Sequence, residues 1–437
     1  MRAATHYQRT LAVFAFTVLA AGEFWRHLLS WWGWGALALL VCAAAVIELV
    51  RMRVDPRRFP IWLGLFLAIT ALSSIWALHP GSAALASFGL IVTAAGAAML
   101  ATCLNWQELL ETLSTSLRWV LGASLLFELF VAAVLQQRIL PLWADYSDLE
   151  KIPSTFYWSR ALLFEGGRIQ GIVGNANVLA MLTLLALIVF ICRLLARQGS
   201  PLWAWFWIAI AVLTFALTRS ATVILAAVAV AYVAAIVVLL RRATDRAYTA
   251  LLVGAGVLTA VLVTVAVLAR GPLLSLLGRS PDLTNRLDIW QVVGEFVLER
   301  PAAGWGWGFW APWNWPVDGF DKLNNIGFLS AHNAWLDVLL QVGVIGLVPF
   351  AVLVLGALVR SGGMALDVSS RRARPSSIPW PLSAAPLLLL VALLVQSLAE
   401  SQLLWEFGFA LLVIIATKSG WRESSVSDSP RAEAVTT

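Results

Sequence analysis

Cysteine is too scarce in this chain, and too apolar in its surroundings, for a disulfide framework or a Cys-based metal site. There are four His and three Cys among 437 residues. Cys42, Cys103 and Cys192 all fall inside apolar runs, where a thiol reads as a small core group. Charge is scarce as well. Asp, Glu, Lys and Arg make up 12% of the chain, against about 25% in an ordinary soluble domain, which excludes a solvent-facing globular protein. A net charge of +6 would suit nucleic acid in a soluble chain. Here the basic residues follow membrane topology, so no nucleic-acid partner is read from them.

Hydrophobicity is what the chain has instead, with 60% apolar residues and 23 Trp, a content suited to two interfacial aromatic belts. Twelve apolar runs approach or reach the ~20 residues that cross roughly 30 Å of hydrocarbon. They lie near 10–22, 32–50, 60–78, 82–103, 119–135, 172–191, 202–217, 221–240, 249–269, 334–359, 381–398 and 403–417. An all-α polytopic membrane protein of about 12 transmembrane helices is expected. No convincing cleavage site follows the first run, so it reads as a retained span, with Glu23, Arg26 and His27 at its exit. With a cytoplasmic N-terminus, the short loops 51–58, 193–197, 241–246 and 360–374 place most of the Lys and Arg inside, as does Arg118. Both termini are then cytoplasmic. The expected organisation is a transmembrane bundle over 1–269 with an outer loop at 136–170, a long outer loop over 270–331, three last spans over 332–417, and a polar, disordered cytoplasmic tail over 418–437.

The candidate site residues gather on the outer side. Thr218-Arg219-Ser220 is all that joins two apolar runs. A guanidinium at such a hairpin mouth is unfavourable unless an anion comes to it. In the long outer loop, Thr284 can cap a helix whose apolar face is Ile289, Val292, Val293, Phe296 and Val297, with Pro301 as its stop. This amphipathic helix lies either on the outer membrane surface or over the bundle mouth. Arg286 in its first turn opposes the helix dipole, which suggests an anion held there. The run Gly304-Trp305-Gly306-Trp307-Gly308 offers flat rings for sugars, or else an interfacial anchor.

His332 closes that loop and is followed by Asn333 and, one turn on, Asp337. A lone His at a helix start often serves as a polar cap, but this one lies beside the Arg cluster and can accept a hydroxyl proton. Arg168, Asn175 and Asn177 mark another loop entering a span, where the two amides either cap the helix or meet a hydroxyl-rich ligand. Arg279 is a further cation in the long loop. Glu128 falls mid-span and should face a polar interior or an Arg partner. The outer acids Asp145, Asp148, Asp318 and Asp321 read as solvated, so no metal site and no cofactor are expected.

Together, Arg168…Gly174-Asn175-Ala176-Asn177, Leu217-Thr218-Arg219-Ser220, Leu283-Thr284-Asn285-Arg286-Leu287-Asp288 and His332-Asn333-Ala334-Trp335…Gly343-Val344-Ile345-Gly346 resemble the bacterial O-antigen ligase and polymerase superfamily, including its exopolysaccharide-polymerising relatives. The resemblance implies a C-type glycosyltransferase-like helical bundle in the inner membrane, with a long periplasmic loop over a cavity. It implies that Arg219 and Arg286 bind the diphosphate of an undecaprenyl-linked glycan, and that His332 acts as base or positions the acceptor. Arg168, Arg279, Asn175, Asn177, Asn333, Trp305 and Trp307 would complete the substrate site. Asn285 departs from the usual Gly there, a tolerable change because Asn also accepts unusual backbone angles. The expected activity is metal-independent ligation of a lipid-linked glycan to an acceptor hydroxyl, such as one of lipid A core. Polymerisation of lipid-linked repeats is the alternative within the family. A transporter or flippase is the alternative outside it, and would need ionisable residues near the midplane; Glu128 is the strong candidate of that kind.

Overall fold

The computed structural model describes residues 4–146, 152–154, 156–268, 286–311, 314, 330–366 and 378–420. Among them are thirteen α-helices, all but one of which fall on the twelve expected apolar runs. In chain order they are α1 (His6–Ala20), α2 (Gly22–Arg51), α3 (Ile61–Leu72), α4 (Pro80–Cys103), α5 (Trp106–Phe130), α6 (Ala176–Leu195), α7 (Pro201–Thr218), α8 (Ala221–Arg242), α9 (Asp245–Leu268), α10 (Arg286–Glu299), α11 (Ala334–Leu366), α12 (Trp380–Ser397) and α13 (Glu406–Lys418). Eight helices among the described residues are long and apolar enough to cross a membrane: α2, α4, α5 with the turn that extends it, α6, α7, α8, α11 and α12. Among the described residues the regular structure is thus helical, that of a multi-pass membrane protein.

Local chemistry sets several boundaries. Thr5 and Gln8 form a reciprocal capping box at α1, as do Asn105 and Glu108 at α5, each satisfying backbone donors that a helix start leaves unpaired. Glu108 also accepts from Arg9 Nη2 at 2.6 Å and so ties α5 to α1. α13 is only 13 residues long, yet Phe407 through Lys418 are all buried. It is the central helix of the bundle, flanked by α4 and α11. A helix apolar on every side is the kind that a core accepts. By contrast α9 leaves Leu252, Val253, Val257, Leu258 and Leu262 exposed as a broad apolar surface. Arg26 joins the two termini of the fold. Its Nη1 meets Glu406 Oε1 at 2.5 Å, its Nη2 meets Glu23 Oε1 at 2.7 Å, and its guanidinium lies over Trp31 and Trp34.

α10 is the expected amphipathic helix, and it packs on protein. Ile289, Val293 and Phe296 are buried against Trp305, Phe309, Trp310 and Leu340 of α11. Its Thr284 cap lies outside the described residues. The Gly-Trp run that follows is built into the core. Trp305 N donates to the Leu340 carbonyl at 2.9 Å and Gly306 N to that of Gln341 at 2.8 Å. Those carbonyls are free because α11 breaks its helical path at Gly343 (φ 60°, ψ −164°). In return Val344 N and Ile345 N donate to the carbonyls of Pro301 and Ala302. A Cβ at Gly343 would strike the Ala302 carbonyl, so both the positive φ and the close backbone approach require glycine.

Candidate active site

Asn175 caps α6, its Oδ1 accepting from the N–H groups of Asn177 at 2.8 Å and Val178 at 3.3 Å. That cap delivers the Asn177 amide to a junction of three loops. Asn177 Oδ1 accepts from Arg168 Nη2 at 2.5 Å and from Ser220 Oγ at 2.9 Å, while Nδ2 donates to Glu400 Oε1 at 2.8 Å. Arg168 Nε donates to the Thr218 carbonyl at 2.9 Å. Between Thr218 and Ser220, Arg219 takes the left-handed conformation (φ 47°, ψ 43°) that turns α7 into α8. For a residue with a Cβ this conformation is unfavourable by roughly 1–2 kcal/mol. Its side chain is exposed, and its guanidinium bonds to no other described residue.

Glu400, between α12 and α13, is the hub of the cluster. Its Oε1 also accepts from Arg286 Nη2 at 2.7 Å, and its Oε2 lies 3.0 Å from His332 Nδ1. Burial alone would raise the Glu400 carboxyl. The hydrogen bond and charge of His332, the charge of Arg286 and the Asn177 amide outweigh burial and hold it below its ordinary 4.5. Ionised at neutral pH, Glu400 can only accept. A neutral His332 therefore carries its proton on Nδ1 and its lone pair on Nε2, in the manner of a carboxylate-oriented base.

The backbones that bear this pair are fixed from below. Asp337 is 1% exposed. One of its oxygens accepts from Ala331 N at 2.9 Å, next to His332, and the other from Ser401 Oγ, next to Glu400. Glu128 does the same for the Arg168 loop. Its Oε1 accepts from the N–H groups of Gln170 at 2.8 Å and Gly171 at 2.7 Å, and its Oε2 from Ser159 Oγ at 3.0 Å. Its partners are thus loop backbone and a hydroxyl, so of the two alternatives its position left open, a polar interior or an Arg partner, the structure shows the polar interior. Two backbone N–H groups satisfy a buried carboxylate well.

The predicted residues sort into three groups. Arg168, Asn177, Arg286 and His332 are joined through Glu400 and Asn177, with Arg219 beside them. Asn175 and Asn333 act as helix caps, Asn333 Oδ1 accepting from Trp335 N at 3.0 Å and Leu336 N at 3.2 Å. Trp305 and Trp307 correct the aromatic reading: they are 8% and 0% exposed, Trp307 packing on Phe66 and Trp405. Rings buried this way present no face to a sugar, and the reason is the backbone pairing with α11. Arg279 lies outside the described residues. Glu400 was not anticipated.

Residues 204–351, about a third of the chain, match the family model described as O-antigen ligase. That match supports a place for the chain in the O-antigen ligase and polymerase superfamily. The matched segment holds Arg219, Arg286 and His332, whereas Arg168, Asn177 and Glu400 come from outside it. The match supports ligase- or polymerase-type glycosyl transfer in the broad sense, and the long apolar helices support a multi-pass membrane setting. No curated protein matches the sequence.

Proposed function

We propose that the protein transfers a glycan from an undecaprenyl-diphosphate carrier to an acceptor hydroxyl, of lipid A core or a similar glycan, at the periplasmic face of the inner membrane. All twelve apolar runs would span the bilayer, with both termini in the cytoplasm. The observation that carries this reading is the convergence of His332, Arg286 and Arg168 on the Glu400–Asn177 pair, with the exposed Arg219 guanidinium alongside.

The chemistry follows from the charges. The acceptor oxygen attacks the anomeric carbon and its proton passes to His332 Nε2. The bond from that carbon to the diphosphate oxygen breaks, and undecaprenyl diphosphate leaves with the electron pair. Negative charge grows on the diphosphate as the bond lengthens. Arg219, Arg286 and Arg168 would meet it with planar, permanently charged forks. Glu400 would keep His332 in the tautomer that accepts a proton. No step needs a metal, because guanidinium groups supply the positive charge.

The test is His332→Ala in purified protein, assayed with a labelled lipid-linked donor and separate acceptors. Transfer is expected to fall by roughly 10²–10⁴-fold, the usual worth of a positioned base, while donor binding persists. Unchanged transfer would remove His332 from the reaction, and loss of donor binding would recast it as a ligand contact. Lipid A core should outcompete a second lipid-linked repeat as acceptor; the reverse preference would make the enzyme a polymerase.

A further inference from the structure

α6 carries Asn177 in its first turn and Arg193 in its last, so Arg193 stands roughly 24 Å along the helix from the Glu400 cluster. At that far end Arg193 and Arg118 of α5 line one cavity of about 190 Å³, together with Ser114, Phe190, Gln198 and Trp203. Arg118 Nε, Arg193 Nη1 and Ser114 Oγ are each buried without a hydrogen-bond partner among the described residues. Arg118 lies 5.5 Å from the centre of the Phe190 ring, a contact that leaves its buried Nε–H unpaired. Glu111, the one acid lining this cavity, is exposed; its charge reaches both arginines through space, but it makes no hydrogen-bonded ion pair with either among the described residues.

Two guanidinium groups facing one small space repel each other, and buried donors without acceptors are unfavourable. An anion with several acceptor oxygens removes both penalties at once. Phosphate fits that description, and the Arg fork suits its geometry. The rim indicates where the phosphate comes from. Leu202 and Trp203, at the start of α7, and Trp119, next to Arg118, are strongly exposed. Exposed Trp on membrane helices marks the headgroup level. The room, about six water molecules' worth at ~30 Å³ each, accommodates a phosphate headgroup.

We infer that Arg118 and Arg193 form a binding site for the phosphate of an anionic phospholipid, in the leaflet opposite the Glu400 site. The acyl chains would lie along the exposed apolar surface of α7. A lipid seated there braces α5 against the α6–α7 hairpin whose far end carries Arg219.

The full chain, in nanodiscs of phosphatidylcholine alone, of phosphatidylcholine with phosphatidylglycerol, or of phosphatidylcholine with added inorganic phosphate, provides the test. Thermal unfolding is expected to shift upward with phosphatidylglycerol only. The Arg118→Gln, Arg193→Gln double variant should lose most of that shift. A gain with inorganic phosphate alone would overturn the lipid source. Equal gains in wild type and variant, or none in either, would overturn the site. Native mass spectrometry of the wild type gives a reading that needs no variant. Phosphatidylglycerol should be retained over phosphatidylcholine by at least about tenfold, because the choline cation offsets the phosphate charge that both lipids carry and adds a positive charge beside two arginines, and equal retention would refute the proposal.

Discussion

A carboxylate that holds a cation on one oxygen and an imidazole on the other ties binding to proton transfer in a single side chain. Glu400 occupies that position, between Arg286 at 2.7 Å and His332 at 3.0 Å. Glu400→Gln should therefore lower transfer by roughly 10²-fold, since an amide fixes the His332 tautomer poorly and cannot stabilise the imidazolium that forms. The same variant tests the electrostatics. The Glu400 pKa is lowered by folding, so its contribution to stability is full above about pH 4.5 and is lost as pH falls through the folded value. Melting temperatures between pH 6 and pH 3 should drop more steeply for the wild type than for the Gln variant; parallel curves would show that Glu400 is not held as a carboxylate. Arg219→Lys should reduce transfer by roughly 10–10²-fold, because a point charge cannot reproduce two-pronged phosphate contact, and wild-type rates would rule that contact out. Arg219 was legible in the sequence as an isolated charge in a three-residue turn between apolar runs. Glu400 sits in a similar four-residue gap, 399–402, between the runs ending at 398 and starting at 403. The signal was present; what the sequence lacked was any indication that this gap folds back onto His332.

At the scale of elements, apolar periodicity and length located the membrane helices, because burial in lipid leaves a strong one-dimensional mark. The face of α10 was equally readable, since Ile289, Val293 and Phe296 recur at helical spacing. The Gly-Trp run was not readable. Alternating Gly and Trp shows that backbone comes close and rings pack, but it does not name the partner. The partner is the break in α11 at Gly343, which exposes the Leu340 and Gln341 carbonyls to Trp305 and Gly306. Gly343→Ala should destabilise the protein by roughly 1–3 kcal/mol, through overpacking against the Ala302 carbonyl and strain at positive φ. Gly254 of α9, which has open space around it, is the control, and Gly254→Ala should leave the melting temperature unchanged or slightly raised. Equal behaviour of the two variants would show that the break in α11 is not held by this packing.

For the whole molecule, the claim at stake is sidedness: the Glu400 cluster faces the periplasm and the Arg118–Arg193 cavity the cytoplasm. The three native cysteines are free and buried, so a membrane-impermeant maleimide should find little background. Phe164, in the loop that carries Arg168, and Arg197, after α6, are both exposed, and they lie toward opposite ends of α6. Phe164→Cys should label in intact spheroplasts. Arg197→Cys should label only once the membrane is opened. The reverse pattern would turn the bundle over and put His332 in the cytoplasm, where the proposed lipid-linked donor would have to be presented on the other leaflet. Labelling of both sites in intact cells would be as damaging, because α6 would then not separate two compartments. The physical stake is that the charge of the diphosphate cannot cross hydrocarbon unaided, at several kcal/mol or more per buried ion, so a glycosyl-transfer site must share a face with its substrate's headgroup.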